Sequence, residues 1–356
     1  MGPLPIIRTD LMLESLGIFF LSGYFIAIIF AQMLPVTNAI NRRKVSTSFS
    51  LLVHVMHSLF PHFFTITDLS SMSRGTKVVW EDSSWRFEGW VVPAKSGKTT
   101  KVVIAFHGFD RSASEMENFM PFYDKDAAML SVNLLHHGDS GPIGDLHVYS
   151  MLEPRFFLKA LKRKIQEEFG DNVGRLELLG YSMGSRVCFS LLTESHSDFK
   201  GIIVLAPDGL RKGLMYKFVV NTRLGRFGWS LVDRFPKTNT RIIDALYKVG
   251  VISGHRHHFG RYHTDNSEIR RRVAYGWAAH KKFWPELGDL ALAMSQVESH
   301  IVFGDRDKII PQKWSRGLKA ELYKIECSSV QFHTIESGHV MRHAATVEKI
   351  VSAIKS

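Results

Sequence analysis

From residue 76 onward the chain alternates short apolar runs with stretches of helical period. The run 101–106 (KVVIAF) is continuously apolar after its first residue, the pattern of a strand buried on both faces of a sheet. Residues 77–80 and 86–92 read as two more strands, a hairpin across the turn at 81–85. Further strands are expected at 127–134, 176–179, 201–205, 300–303 and 330–335. Helical patterns fall between most of them, at 114–123, 153–169, 183–195, 314–324 and 342–354. Such alternation predicts an α/β fold with a mostly parallel, doubly wound sheet. One long stretch breaks it: residues 208–297 are helix-like, basic and aromatic, with no clear strand. They read as an inserted helical lid. The chain shows no internal repeat and no low-complexity tract.

The N-terminal pattern is of another kind. Residues 15–34 are twenty positions without a charge, followed by Pro35. That length matches the hydrocarbon core of a bilayer. A secretory leader has a basic start and a shorter apolar run, whereas here Asp10 and Glu14 accompany only Arg8. A retained transmembrane helix is therefore expected. The Asn41-Arg42-Arg43-Lys44 run behind it places the C-terminal side in the cytoplasm. A second apolar stretch, 49–64, has Ser50, His54, His57 and Ser58 on one narrow stripe and is interrupted by Pro61. A helix lying in the membrane interface and a helix packed on the protein's own core both fit it. The expected organisation is a membrane anchor with a juxtamembrane segment over 1–75, a core formed by 76–207 and 298–356, and the lid over 208–297.

Composition and charge refine this picture. With 45% hydrophobic and 22% charged residues the chain has the balance of a globular protein. Its two cysteines, Cys188 and Cys327, lie far apart, so a structural disulfide is not expected and a reducing compartment is. The net charge of +11 is concentrated: residues 211–282 hold 16 Lys and Arg against Asp233, Asp244, Asp265 and Glu268, a local +12. A basic segment of this kind attracts anionic lipid, acidic substrate or nucleic acid. No nucleic-acid-binding module is visible; for Arg270, Arg271 and Arg272 two readings stand side by side, contact with anionic lipid and internal ion pairs or a plain coating of the lid.

The candidate chemistry centres on Gly180-Tyr181-Ser182-Met183-Gly184, placed between the strand at 176–179 and a helix. Small residues two before and two after the serine permit a sharp strand-to-helix turn, which leaves Ser182 exposed at a helix N-terminus. His107-Gly108-Phe109 follows the strand 101–106. Two later turns complete the pattern: Phe303-Gly304-Asp305-Arg306-Asp307, ahead of Ile309-Ile310-Pro311, and Ser337-Gly338-His339.

On these motifs and their order, residues 76–356 resemble the α/β-hydrolase superfamily, in its cap-bearing branch of esterases, lipases and carbon–carbon hydrolases. The resemblance implies Ser182 as nucleophile, His339 as general base and acid, and Asp307 as the carboxylate that orients it. Asp305 is the competing acid. It also implies an oxyanion hole from the N–H groups of Phe109 and Met183. Serine at 182 sets the chain apart from the dehalogenase and epoxide-hydrolase branches. One departure stands out: His136 occupies a position where the family has glycine, so His136 and His137 are candidates either for substrate contact or for structure. His255, His257, His258 and His263 have no acid or cysteine at metal-ligand spacing, and no metal or cofactor is expected. The implied activity is cleavage of a carboxylic ester, with lipid-derived esters among the candidates, through an acyl-enzyme. A thioesterase or acyltransferase using the same triad, and a non-catalytic membrane-bound binding protein on the same scaffold, remain open at this point.

Overall fold

The apolar runs form one nine-stranded sheet in the computed structural model, which describes residues 74–355 apart from 148, 172 and 175. β1 (Thr76–Asp82) and β2 (Trp85–Val92) make the expected hairpin, with Ser83 at φ 54° in its turn. β2 runs antiparallel to β4 (Ala127–Val132), which lies parallel to β3 (Lys101–Phe106). A short β5 (Gly141–Pro142) pairs with β2. On the other side of β3 come β6 (Leu176–Tyr181), β7 (Phe199–Leu205), β8 (Glu298–Gly304) and β9 (Val330–Ile335), all parallel. The spatial order β1-β2-β4-β3-β6-β7-β8-β9 reverses direction at β3. Loops leaving the carboxyl ends of β3 and β6 therefore diverge and leave a crevice, where sites of open α/β sheets collect.

Parallel pairing requires a crossover between strands, and those crossovers cover the sheet's two faces. α1 (Pro154–Phe169) and α2 (Met183–Glu194) put Phe157, Leu161, Val187 and Leu191 on one face. Between β7 and β8 come α3 (Leu214–Asn221), α4 (Arg223–Arg234), α5 (Pro236–Lys248), α6 (Gly254–Asp265) and α7 (Ser267–Arg271). α7 continues through a π turn at Arg272–Gly276 into Trp277–Ala279. α8 (Leu287–Ser295) follows, and it behaves differently from the other inserted helices. It buries Leu290, Ala291 and Met294 in the same apolar layer as α2 and α9 (Arg316–Lys324). α8 is the crossover helix that leads into β8, so the extra helices end ahead of it and residues 287–295 pack with the core. The opposite face is covered by α10 (Ala344–Lys355) and by Ala113–Phe122, through Met116, Phe119, Val347 and Ile350. Ala113–Phe122 is a 3₁₀ stretch where the periodicity suggests an α-helix. Pro121 inside it has no N–H to donate to an α-helical ladder.

Among the described residues no helix is long and apolar enough to cross a membrane. The span expected at 15–34 and the apolar stretch at 49–64 lie outside the described residues.

Residues 74–355 thus hold a sheet with apolar layers on both faces. A chain beginning at Arg74 is expected to fold alone and to unfold in one cooperative transition, with far- and near-ultraviolet circular dichroism melting together. Separate transitions for the two signals would show that the first 73 residues complete the core.

Candidate active site

The turn from β6 into α2 fixes the position of Ser182. Its backbone sits at φ 51° and ψ −115°, a conformation that non-glycine residues adopt only under strain. Three backbone bonds hold it there: its N–H donates to Leu205 O (2.9 Å), while its own carbonyl accepts from Ser185 (3.0 Å) and Asp208 (3.1 Å). The flanking glycines are required by contact. A Cβ on Gly184 would lie 2.0 Å from the Phe106 carbonyl oxygen, and one on Gly180 would lie 2.5 Å from Ser185 Cα.

His339, from the loop after β9, reaches Ser182 Oγ with Nε2 at 3.1 Å and Asp307 Oδ2 with Nδ1 at 2.8 Å. Asp307 is 5% exposed, and its other oxygen accepts from the N–H groups of Ile309 (2.8 Å) and Ile310 (2.9 Å). Its carboxylate is thus aimed by backbone donors. Asp305, the competing acid, accepts instead from Ser337 N–H at 3.0 Å and braces the loop that carries His339. A further contact escapes the motifs. Tyr181, the variable residue of the Gly-x-Ser turn, donates its hydroxyl to the His339 carbonyl (2.7 Å), and its ring stacks at 5.9 Å from the imidazole.

The turn at 107–110 borders Ser182, since a Cβ on Gly108 would stand 3.2 Å from Ser182 Cβ. Two buried histidines shape it. His107 Nε2 accepts from Leu134 N–H (3.0 Å), so Nδ1 carries the proton and donates to Gly108 O (2.7 Å). His137 Nε2 accepts from Asp110 N–H (3.1 Å), and its Nδ1 donates to Leu135 O (3.2 Å). His137 therefore has a structural task. His136 sits at φ 65°, which explains the family's glycine there, and its ring approaches Tyr275 at 5.7 Å. Met183 opens α2, so its N–H has no carbonyl one turn back to bond. Phe109 turns its ring toward an apolar cluster of Val219, Trp229 and Val273 from the inserted helices.

Those helices are fastened to the same turn. Asp110, at φ 57°, bonds both the Arg272 guanidinium and the Tyr262 hydroxyl, and Tyr262 is pushed up to about 12 by burial and by that carboxylate. Arg272 also pairs with Glu268 (3.1 Å), while Arg270 is buried and binds Asp233 (2.8 Å) and the Thr264 carbonyl. Two of the three arginines weighed for lipid contact are therefore consumed inside the protein, and Arg271 alone of the run is exposed. Of the four histidines weighed as metal ligands, His257 bonds Asp244 (2.8 Å) and His263 bonds the Phe259 carbonyl (2.9 Å).

Arg186, one helical turn beyond Ser182, carries no sequence signal. It is 1% exposed, lies between the rings of Tyr216 (5.1 Å) and Trp284 (4.8 Å), and comes within 3.9 Å of Asp208. Burial pushes the Asp208 carboxyl up, with the Arg186 charge pulling back. The guanidinium thus ties the serine's helix to both ends of the inserted segment.

The described geometry resembles that of solved proteins. An α/β-hydrolase enzyme, MGS-M2, from a Medee basin deep-sea metagenome library superposes with a TM-score of 0.53 at 13% identity, over 78% of this chain and 95% of that one. A thermophilic esterase from Thermogutta terrifontis gives 0.51 at 15% identity, over 80% and 97%. A membrane phospholipase A described as a bacterial virulence factor gives 0.50 at 14% identity, over 86% and 96%. No protein-family model matches the chain, and no curated protein matches it in sequence. At such identities the likeness shows the fold: the chain has the α/β-hydrolase fold.

Burial holds His107 neutral down to about 4 and His280 down to about 3, against an ordinary 6.5. In that window the unfolded chain binds protons that the folded one refuses. Each histidine therefore withdraws stability as pH falls, at about 1.4 kcal/mol per pH unit. Denaturant midpoints are expected to fall steadily from about pH 6.5 toward about pH 4. A flat profile over that range would mean that these imidazoles are not held neutral.

Proposed function

We propose that this chain is a membrane-anchored serine hydrolase that cleaves a carboxylic ester of an apolar acyl group. The observation that carries the reading is His339 within hydrogen-bond reach of Ser182 on one side and Asp307 on the other. With Nδ1–H directed at Asp307, Nε2 is free to take the Ser182 proton as Oγ attacks the ester carbon. The resulting oxyanion lies beside the Met183 N–H at the α2 N-terminus and the Phe109 N–H on the adjoining turn. His339 then returns its proton to the departing alkoxide. Water, deprotonated by the same imidazole, releases the acid from Ser182.

The apolar preference is argued from Phe109, Trp229, Val219 and Val273, which cluster where the inserted helices cover the turn. The fold neighbours described as an esterase and a membrane phospholipase A agree with ester chemistry on this scaffold. Residues 15–34 supply the anchor in this reading, and the domain beyond it faces the cytoplasm.

Ser182→Ala and His339→Ala are each expected to lower kcat on p-nitrophenyl esters by several orders of magnitude with unchanged circular dichroism. Both should lose labelling by a fluorophosphonate at residue 182, the first for want of the oxygen and the second for want of the base that activates it. A rate retained by Ser182→Ala would dismiss the mechanism.

Asp307→Asn is expected to cost about 10³- to 10⁴-fold, because the imidazole loses its orienting charge. Asp305→Asn, which only loosens a loop, is expected to cost less than about tenfold. The opposite ranking would reassign the acid.

A further inference from the structure

The structure divides the charge of the inserted segment into two populations. Within residues 211–282 all four acids are engaged by neighbours: Asp233 by Arg270, Asp244 by Arg261 and His257, Asp265 by Arg261, and Glu268 by Arg272. Exposed cations remain in several places, Lys217, Arg256 and Arg271 among them, but the densest set lies along α4 and α5. Arg223, Arg234, Lys237, Arg241 and Lys248 are all exposed, and among the described residues none of them pairs with an acid.

Their arrangement is amphipathic in an unusual place. α4 buries Gly225, Gly228, Trp229 and Val232 on its inner face, with Trp229 in the cluster around Phe109. Its outer face carries a second apolar stripe at helical spacing: Leu224 (59% exposed), Phe227 (55% exposed) and the half-buried Leu231. Arg223 and Arg234 lie beside that stripe. At the junction with α5, Phe235 is exposed as well, under the Arg234 guanidinium. Along α5, Lys237, Arg241 and Lys248 fall on one exposed line. Aromatic and aliphatic groups in water, flanked by cations without counterions, match the surface of an anionic phospholipid bilayer. The apolar groups enter the headgroup–acyl boundary while Lys and Arg meet the phosphates.

We propose that the outer face of α4 and the exposed line of α5 dock on anionic phospholipid. The inference deepens the lipid side of the proposed function, yet it does not depend on the chemistry of Ser182. Docking sets the helix that covers the Phe109 turn against the bilayer, with Phe227 facing lipid and Trp229, two residues on, facing the site.

The test uses the full chain in vesicles, with an environment-sensitive dye on Ser230→Cys, an exposed position of the same face, in a Cys327→Ser background. Cys188 is buried and does not compete. Brominated phosphatidylcholine vesicles with phosphatidylglycerol are expected to quench the dye, and those without it are not. Added salt should lower the quenching. Replacing Arg223, Arg234 and Lys237 together by Gln is expected to shift the docked-to-undocked ratio about a hundredfold toward undocked. Leu224→Ser with Phe227→Ser should also abolish quenching. Both variants should keep the parent's hydrolysis of a short soluble ester, which certifies their fold, and Ser182→Ala should dock like the parent. Loss of ester hydrolysis by the parent with docking intact would fault the proposed reaction alone. Equal quenching with and without phosphatidylglycerol, or equal quenching of parent and charge variant, would overturn the docking surface. So would a lipid-free dimer that Phe227→Ser dissolves, with no quenching in either vesicle, since that outcome gives the face to a second copy of the chain.

Discussion

The backbone of Ser182 is the constraint from which the site is built. A residue with a side chain at φ 51° persists only where its surroundings hold it, and here they do so from three directions. Leu205 O at the end of β7, Ser185 N–H in α2 and Asp208 N–H beyond β7 all bond the same peptide groups. Gly184 lets α2 press on the Phe106 carbonyl at the end of β3. The adjoining strands β3, β6 and β7 therefore meet at one residue, and a shift in their register would be transmitted to the serine oxygen. The loops bearing Asp307 and His339 are referred to the same frame, because Tyr181 next to the serine holds the His339 carbonyl.

A second layer of order comes from polar groups placed out of water. His107 and His137 act as neutral connectors, each accepting from one backbone N–H and donating to one carbonyl, a division that fixes their tautomers. Protonation of either would replace an acceptor by a donor facing an N–H group. Arg186 is the charged counterpart. Its cation is stabilised by two aromatic faces and a carboxylate, so removing Tyr216 or Trp284 would expose a desolvated charge rather than open a harmless cavity.

Much of this was legible in the sequence where the signal is local. Continuous apolar runs marked the strands, and the Gly-x-Ser-x-Gly turn named the serine because crowding there admits only small neighbours. Asp307 and His339 were legible through their order and the turns that hold them. Asp305 and Asp307, two residues apart, differ in role only through what each accepts from, which no spacing records. The arginine run left lipid contact and internal pairing undivided for a physical reason: the partners of Arg270 and Arg272 lie 37 and 162 residues away. A charge count sees neither neutralisation. Arg186 was silent because a buried cation and a surface one look alike in a sequence. The period of α8 is helical like that of the inserted helices, and only its apolar contacts with α2 and α9 separate it.

Asp110 holds a position with a broader consequence. It follows Phe109 on the turn beside Ser182, and its carboxylate takes Arg272 and Tyr262 from the inserted helices. The inserted helices and the turn that borders Ser182 thus share a fastening. Over evolutionary time the insertion cannot be exchanged as an independent module. A lineage that remodels the edge around residues 262 and 272 must refit residue 110, and through it the neighbouring turn. Changes at the edge of the inserted helices and changes at the turn beside Ser182 are inherited together in such a design.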